Sequence, residues 1–255
     1  MVELSGRAVV VTGAGSGIGR ATVLRLVERG ARVGLVGRTR ARLEAVASEA
    51  RGECAVVTAD VADRAAVEAA FEALHSRLGP LHAVVANAGV GGPDQVGGRD
   101  RWDEIVRTNL DGAYFTLRAF ERYLAQGAGP THAVVISSCV ARFGVAGIAA
   151  YSAAKAGQLG LVRSLAVELA PKEVRVNAIC PGWVETAMAE QRMREIGAAT
   201  GRCYEQTRAD LLAELPLPRI STPEEIAGLI EFLMSPDAVA FTGQALDPNN
   251  GAWMG

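Results

Sequence analysis

The stretch Ala8-Val9-Val10-Val11-Thr12-Gly13-Ala14-Gly15-Ser16-Gly17-Ile18-Gly19 decides how the rest of the chain is read. From Arg7 to Thr12 the residues are apolar, β-branched and continuous, the pattern of a strand buried on both faces. Helical spacing follows at Ile18, Ala21, Thr22, Leu24, Arg25, Leu26 and Val27, and Gly30 is a natural C-terminal stop. Glycines between a strand and a helix let the backbone turn tightly and come close to a pyrophosphate. The helix N-terminus supplies free N–H donors and a partial positive charge. The fingerprint G-x-G-x-x-G does not fit, since it needs glycine at Ile18 when started at Gly13 and at Arg20 when started at Gly15; T-G-x-x-x-G-x-G does fit.

Working outward, strands are predicted over 32–36, 55–58, 83–86, 133–136 and 174–179, with helices over 41–51, 65–78, 102–124 and 151–169 between them. Six strand-helix alternations with right-handed crossovers give a parallel sheet covered on both faces. From 185 to 219 the pattern becomes polar and Arg-rich, with helical patches and no strand. Thr222 then caps a helix whose first position is Pro223, and a last short strand is expected near 244–246. The expected fold class is α/β: one Rossmann-like, doubly wound parallel sheet of about seven strands. A single domain spans 1–255, with 185–219 as an excursion from it.

Composition excludes several function classes. The chain has 255 residues, 26 Lys+Arg against 28 Asp+Glu, three His, four Cys and 49% hydrophobic residues. Near neutrality removes the electrostatic footprint of a nucleic-acid binder, and the apolar fraction is that of a chain with a real core. No run approaches the roughly 18 apolar residues of a membrane helix. The stretch Met1-Val2-Glu3-Leu4-Ser5-Gly6-Arg7 has neither the basic region nor the cleavage site of a signal peptide, so a cytoplasmic location is expected. Cys54, Cys139, Cys180 and Cys203 have no metal-ligand spacing with each other or with His75, His82 and His132. They are read as buried thiols beside ordinary histidines, with no metal site. Of the 26 cationic residues only Lys155 and Lys172 are lysines.

Thr12-Gly13-x-x-x-Gly17-x-Gly19 resembles the signature of the short-chain dehydrogenase/reductase family, and the resemblance runs from end to end. Asp60-Val61, Asn87-Ala88-Gly89, Asn109, Ser138, Tyr151-x-x-x-Lys155 and Pro181-Gly182 follow in family order. The resemblance implies that Gly13, Ser16, Gly17, Ile18 and Gly19 cradle a dinucleotide, that Asp60 and Val61 contact its adenine, and that Asn87 and Gly89 line its groove. It also implies that Thr186, after the Pro181-Gly182 turn, holds the nicotinamide carboxamide. Which dinucleotide is read at the end of the second strand, where a carboxylate would repel a 2′-phosphate and an arginine would pair with it. Here Gly37 stands where NAD-linked relatives usually carry Asp, and Arg38 follows, so NADP(H) is favoured over NAD(H).

Tyr151 and Lys155, four apart on a predicted helix, project from one face. An unperturbed tyrosine titrates near about 10; a nearby ammonium is expected to lower that value and let the hydroxyl exchange protons with a substrate oxygen. Ser138 falls at the C-terminal end of the fifth predicted strand, where it can hydrogen-bond the same oxygen. By resemblance, Ser138 positions the carbonyl, Tyr151 is the general acid or base, and Lys155 tunes Tyr151 and binds the nicotinamide ribose. Asn109 belongs to a helix that holds a water linking the lysine to solvent; it reads equally as a helix-kink residue. In a chain that uses arginine by default, Lys155 marks a site needing a compact ammonium. Lys172 has no assigned role at this level.

Residues 185–219 fall at the position of the family's helical substrate lid, and Met188, Met193, Ile196, Tyr204, Leu211, Leu212 and Leu215 resemble the lid of ketoreductases acting on 3-oxoacyl or polyketide substrates. The apolar spacing there equally fits a helix pair packed on its own domain, and Arg192, Arg194, Arg202 and Arg208 either attract a phosphopantetheine carrier or an anionic substrate or are a solvated face. Small residues Ala153, Ala154, Ala156, Gly157 and Gly160 permit close helix approach, and the resemblance implies a dimer interface there and a dimer of dimers. The expected activity is hydride transfer between NADP(H) and a small ketone or secondary alcohol, in the direction of ketone reduction. Two other readings remain, an NAD-linked secondary alcohol dehydrogenase and a dinucleotide-sensing protein without catalysis. The tail has Asn249-Asn250-Gly251 where Asp-Gly-Gly is more usual in the family.

Overall fold

The computed structural model describes residues 4–125, 127 and 129–255. Met1, Val2 and Glu3, the start of the stretch read for a leader, lie outside the described residues. The elements run β1 (Ala8–Thr12), α1 (Gly17–Glu28), β2 (Arg32–Gly37), α2 (Arg40–Ala50), β3 (Cys54–Thr58), α3 (Arg64–Leu78), β4 (Ala83–Ala86), a small ribbon β5 (Gln95–Val96) and β6 (Arg99–Asp100), α4 (Trp102–Val106), α5 (Gly112–Glu121), β7 (Thr131–Ile136), α6 (Ala149–Leu169), β8 (Val174–Ile179), α7 (Ala187–Thr200), α8 (Tyr204–Ala213), α9 (Pro223–Leu233) and β9 (Ala245–Leu246).

Seven strands form one parallel sheet in the order β3-β2-β1-β4-β7-β8-β9. The order reverses direction between β1 and β4, the switch point at which ligands bind beyond the carboxyl ends of such strands. β1 and β4 are buried at every residue, as continuous apolar runs require when helices cover both faces. Because side chains alternate along a strand, Val10 and Val84 join Phe71, Leu74, Phe120 and Leu165 in one core layer, while Val9, Val11 and Val85 join Leu26, Leu35, Ile226 and Ile230 in the other.

The predicted helix over 102–124 is corrected in two ways. It passes through a π turn, Arg107–Asp111, which carries Asn109, and it ends at Glu121. Beyond that point Tyr123 and Leu124 leave the helical path to pair with Leu81: Leu81 N donates to Tyr123 O and Ala125 N to Leu81 O. The ribbon at Gln95–Asp100 was not predicted from sequence; Gly97 and Gly98, both at positive φ, form its turn. The 185–219 segment holds α7 and α8 and no strand, and a Val184–Ser221 bridge closes its base. The Thr222 cap forms as expected, with Glu225 completing a capping box. Among the cysteines, Cys139 and Cys180 are buried but Cys203 is exposed at the start of α8, contrary to the reading of buried thiols. Lys172 pairs with Glu121. Among the described residues no helix is long and apolar enough to cross a membrane.

Candidate active site

The glycine loop joins β1 to α1 at the switch point. Gly13 and Gly17 adopt positive φ (+65° and +52°), and a Cβ on Gly19 would stand 2.2 Å from the Gly13 carbonyl oxygen, so no side chain fits there. A Cβ on Gly17 would lie 3.0 Å from Thr186 Cγ2, which puts the start of the 185–219 segment directly against the loop. Ser16 is the exposed N-cap of α1 and Ile18 packs toward the core. Asn87 Nδ2 donates to Thr12 O (3.0 Å) and Gly13 O (3.3 Å). Thr12 Oγ1 accepts from the backbone N–H groups of Asn87 and Ala88, both at 3.1 Å. Thr12 was read only as the first letter of a motif, yet it stitches β1 to β4 beneath the loop.

Arg38 is exposed just beyond β2 and makes no ion pair among the described residues. Asp60 accepts from Ala62 N at 3.0 Å, and Val61 is buried against Gly112. The open glycine cradle and the exposed guanidinium of Arg38 fit a phosphorylated dinucleotide. Thr186 Oγ1 donates to Val184 O and accepts from Ala189 N, both at 3.2 Å, capping α7. Pro181 O accepts from Cys139 N, and Gly182 packs against the Asn249 backbone, so the departing tail sequence forms one wall beside this turn.

Ser138 follows β7 and its Oγ accepts from Val140 N at 3.4 Å. Tyr151 is the third residue of α6. Burial pushes the Tyr151 pKa up to about 12, opposed by a hydrogen bond with Ser138. This corrects the sequence expectation, for the Lys155 ammonium does not depress Tyr151 here. Lys155, 4% exposed, donates from Nζ to Ile136 O at 2.8 Å, and Nζ lies 5.5 Å from the Tyr151 ring centroid. Desolvation lowers the Lys155 pKa to about 8. Ser137 Oγ donates to Lys155 O at 2.9 Å, tying α6 to the end of β7.

Asn109 is fully buried on the π turn. Its Oδ1 accepts from Val90 N (3.0 Å), and its Nδ2 donates to Val90 O and Ile105 O (both 2.9 Å). A Cβ on Gly89 would meet Asn109 Oδ1 at 2.6 Å and Lys155 Nζ at 3.8 Å, so Gly89 is glycine for lack of room. Gly91 likewise faces Met188 Sδ and Tyr151 Cε2, at 3.2 and 3.9 Å from an added Cβ. Ser138, Tyr151, Lys155 and the Asn109-held loop thus converge at the carboxyl ends of β4 and β7, beside the glycine loop, with Met188 of α7 next to Gly91. Sequence reasoning missed Asp94, whose two carboxylate oxygens accept from Ala149 N (2.6 Å) and Ala150 N (2.9 Å) and cap α6 immediately before Tyr151. It also missed Arg101, whose Nη1 donates to Gly91 O (3.1 Å) and Pro93 O (3.3 Å). Neither had a local motif to signal it.

Three of the four arginines singled out in the 185–219 segment are paired within it: Arg192 with Glu195, Arg194 with Glu190, and Arg202 with Asp210. On α6, Gly157 packs against Leu110 within the subunit, and Ala154 is buried. Ala153, Ala156 and Val167 face outward.

A family model described as enoyl-(acyl carrier protein) reductase matches residues 13–252. The chain is 36% identical to the ketoacyl reductase of the monensin polyketide synthase of Streptomyces virginiae, over 98% of each chain. It is 35% identical to the 3-oxoacyl-[acyl-carrier-protein] reductase of Vibrio harveyi, over 99% of this chain and all of that one. Among solved structures, a single-residue variant of actinorhodin polyketide ketoreductase with NADPH superposes at a TM-score of 0.90 with 32% identity, covering 99% of this chain and 100% of that one. Levodione reductase superposes at 0.90 with 30% identity, covering 98% and 99%. With a seven-stranded parallel sheet, a glycine cradle at its switch point and relatives matched over their full length, the chain belongs to the short-chain dehydrogenase/reductase family of oxidoreductases.

Proposed function

We propose that the protein reduces a 3-oxoacyl-type ketone with NADPH. The observation that carries this reading is the convergence of the Ser138 and Tyr151 hydroxyls beside buried Lys155, at the end of β7 and next to the glycine loop. A dinucleotide held by Gly13, Ser16, Gly17, Ile18 and Gly19, with Asp60 and Val61 at its adenine, Asn87, Gly89, Pro181 and Gly182 along its groove and Thr186 at its nicotinamide end, supplies the hydride. Arg38 meets its 2′-phosphate. Ser138 hydrogen-bonds the substrate carbonyl oxygen, Tyr151 gives that oxygen its proton, and Lys155 holds positive charge below the developing alkoxide. A Tyr151 pKa near about 12 keeps the phenol protonated across neutral pH, the form needed for reduction. The two hydroxyls address an oxygen, which favours ketone reduction over the reduction of a carbon–carbon double bond named in the matching family model.

The relatives named for carrier-linked ketones support a thioester substrate entering under the 185–219 lid, with Met188 against its acyl part. The chain acts as one catalytic domain, in the cytoplasm, and as a dimer of dimers joined through the outward side of α6; light scattering that finds a stable monomer rejects the last point. The test of the activity is a spectrophotometric screen of NADPH and NADH against ketones, including a 3-oxoacyl thioester analogue, with an enoyl thioester alongside. NADPH oxidation with the 3-oxoacyl analogue is expected. Faster turnover with NADH or with the enoyl thioester overturns the cofactor or the substrate reading respectively.

A further inference from the structure

Gln158 is 1% exposed on α6, three residues beyond Lys155 and so on the same side of the helix. Its Nε2 donates to the backbone carbonyl of Asn109 at 2.7 Å. Asn109 in turn grips Val90 through both backbone groups. Val90 stands between Gly89, where an added Cβ would come within 3.8 Å of Lys155 Nζ, and Gly91, where one would come within 3.9 Å of Tyr151 Cε2. The hydrogen bonds thus run from α6 through Gln158 and Asn109 to the 89–91 loop, which passes beside the two α6 residues of the proposed chemistry.

Two features separate this from ordinary packing. A π turn widens the helix and presents carbonyls to donors outside the ladder; the turn at Asn109 has its carbonyl met by a side chain from another element. In addition, Gln158 Oε1 is buried with no hydrogen-bond partner among the described residues. A side chain kept only for volume would be apolar here and would bury no unpaired acceptor. The amide is therefore kept for what its N–H does.

We propose that Gln158 is a positioning residue for ketone reduction: its amide sets the separation between α6 and the 89–91 loop, and with it the placement of Tyr151 and Lys155 against the bound reactants. This rests on the Ser138-Tyr151-Lys155 reading above. Misplacement by about 1 Å is enough to slow such a site by about 100-fold.

The test compares wild type, Gln158→Leu and Gln158→Glu by thermal melting, NADPH fluorescence titration and kcat between pH 6 and 9 on the same ketone. Gln158→Leu is expected to stay folded and bind NADPH, with kcat lower by about tenfold and little change in KM. In Gln158→Glu the protonated carboxyl can donate to the Asn109 carbonyl and the carboxylate cannot. Its kcat is expected to fall as pH rises, through an ionisation that wild type lacks. A Gln158→Leu variant with wild-type kcat, or a Gln158→Glu profile that overlays wild type, overturns the proposal, and the second comparison decides even where the leucine variant fails to fold. Absence of turnover in the wild type would instead strike the site reading on which the proposal rests.

Discussion

The Lys155 ammonium donates at 2.8 Å to the carbonyl of Ile136, the last residue of β7, while the Tyr151 ring centroid lies 5.5 Å away. The lysine is thereby anchored to the sheet, and its head sits within reach of both Tyr151 and the space beside Gly89. A guanidinium has neither the size nor the point-like charge for that position. Lys155→Arg is expected to keep the far-UV dichroism of wild type and to lose roughly 100-fold in kcat. Near-normal turnover of the variant would reject the role. Lys155 is a base with its pKa lowered to about 8, so it is charged below that pH and neutral above. The ketone-reduction rate of wild type is expected to fall above about pH 8, and Lys155→Met is expected to lack that limb.

Arg38 is proposed to set cofactor choice. It is exposed, and its charge joins those of Arg101 and Arg99 in holding the Glu104 carboxyl below its usual value; its removal leaves no buried charge stranded. A hydrogen bond to a charged phosphate contributes about 1.5–3 kcal/mol, so Arg38→Ala is expected to weaken NADPH binding by about 10- to 100-fold while leaving NADH binding unchanged. Fluorescence titration of the two dinucleotides checks it; an equal loss for both would remove Arg38 from the 2′-phosphate.

His132 at the start of β7 is 2% exposed, and desolvation, with Arg175 and Arg7 nearby, lowers its pKa to about 4. His82, which accepts from Ala8 N at 3.1 Å, is shifted the same way, chiefly by desolvation. A base whose folded pKa lies below its unfolded value of about 6.5 binds more protons when unfolded. Stability therefore falls as pH drops from about 6.5 toward about 4, by up to roughly 3 kcal/mol from His132. Urea unfolding at pH 7 and pH 4.5 is expected to show this loss in wild type and a smaller one in His132→Asn.

Glu231 on α9 is buried at 4% exposure and accepts from Arg25 of α1 and from Arg29, the C-cap of α1, the latter at 2.8 Å. Burial alone would raise its pKa, but the two arginines outweigh it and hold the carboxyl below its usual value. Removing the carboxylate leaves both guanidiniums without their acceptor, and both reach partly into solvent. Glu231→Ala is expected to lower the unfolding free energy, and Glu231→Gln to lower it by less. Chemical denaturation of the three proteins provides the measurement.

Secondary structure was legible wherever one period held over a whole element. The strand Ala83–Ala86 carries an uninterrupted apolar run, Val174–Ile179 alternates apolar Val174 and Val176 with polar Arg175 and Asn177 before Ala178 and Ile179, and the Thr222-Pro223-Glu225 start of α9 carries its own cap. Misreadings occurred where partners distant in sequence take over the backbone. Leu81 draws Tyr123 and Leu124 out of a helix that their spacing would continue, and the ribbon at Gln95–Asp100 is too short to show a period.

Ser138, Tyr151, Lys155 and the glycine loop were legible because each needs a residue type at a local position: a hydroxyl after a strand, two side chains four apart on one helix face, glycines where a Cβ would strike backbone. Their order along the chain also set the sheet and its switch point. The state of the site belongs to the tertiary structure. Burial raises Tyr151, and the carbonyl of Ile136 takes the ammonium that spacing alone assigned to it. Asp94 caps α6 from 55 positions away, Arg101 clamps the 91–93 loop, and Gln158 reaches Asn109 across 49. These contacts have no local signature, because hydrogen bonding and desolvation depend on which groups the fold brings within about 3 Å, and chain separation does not encode that distance.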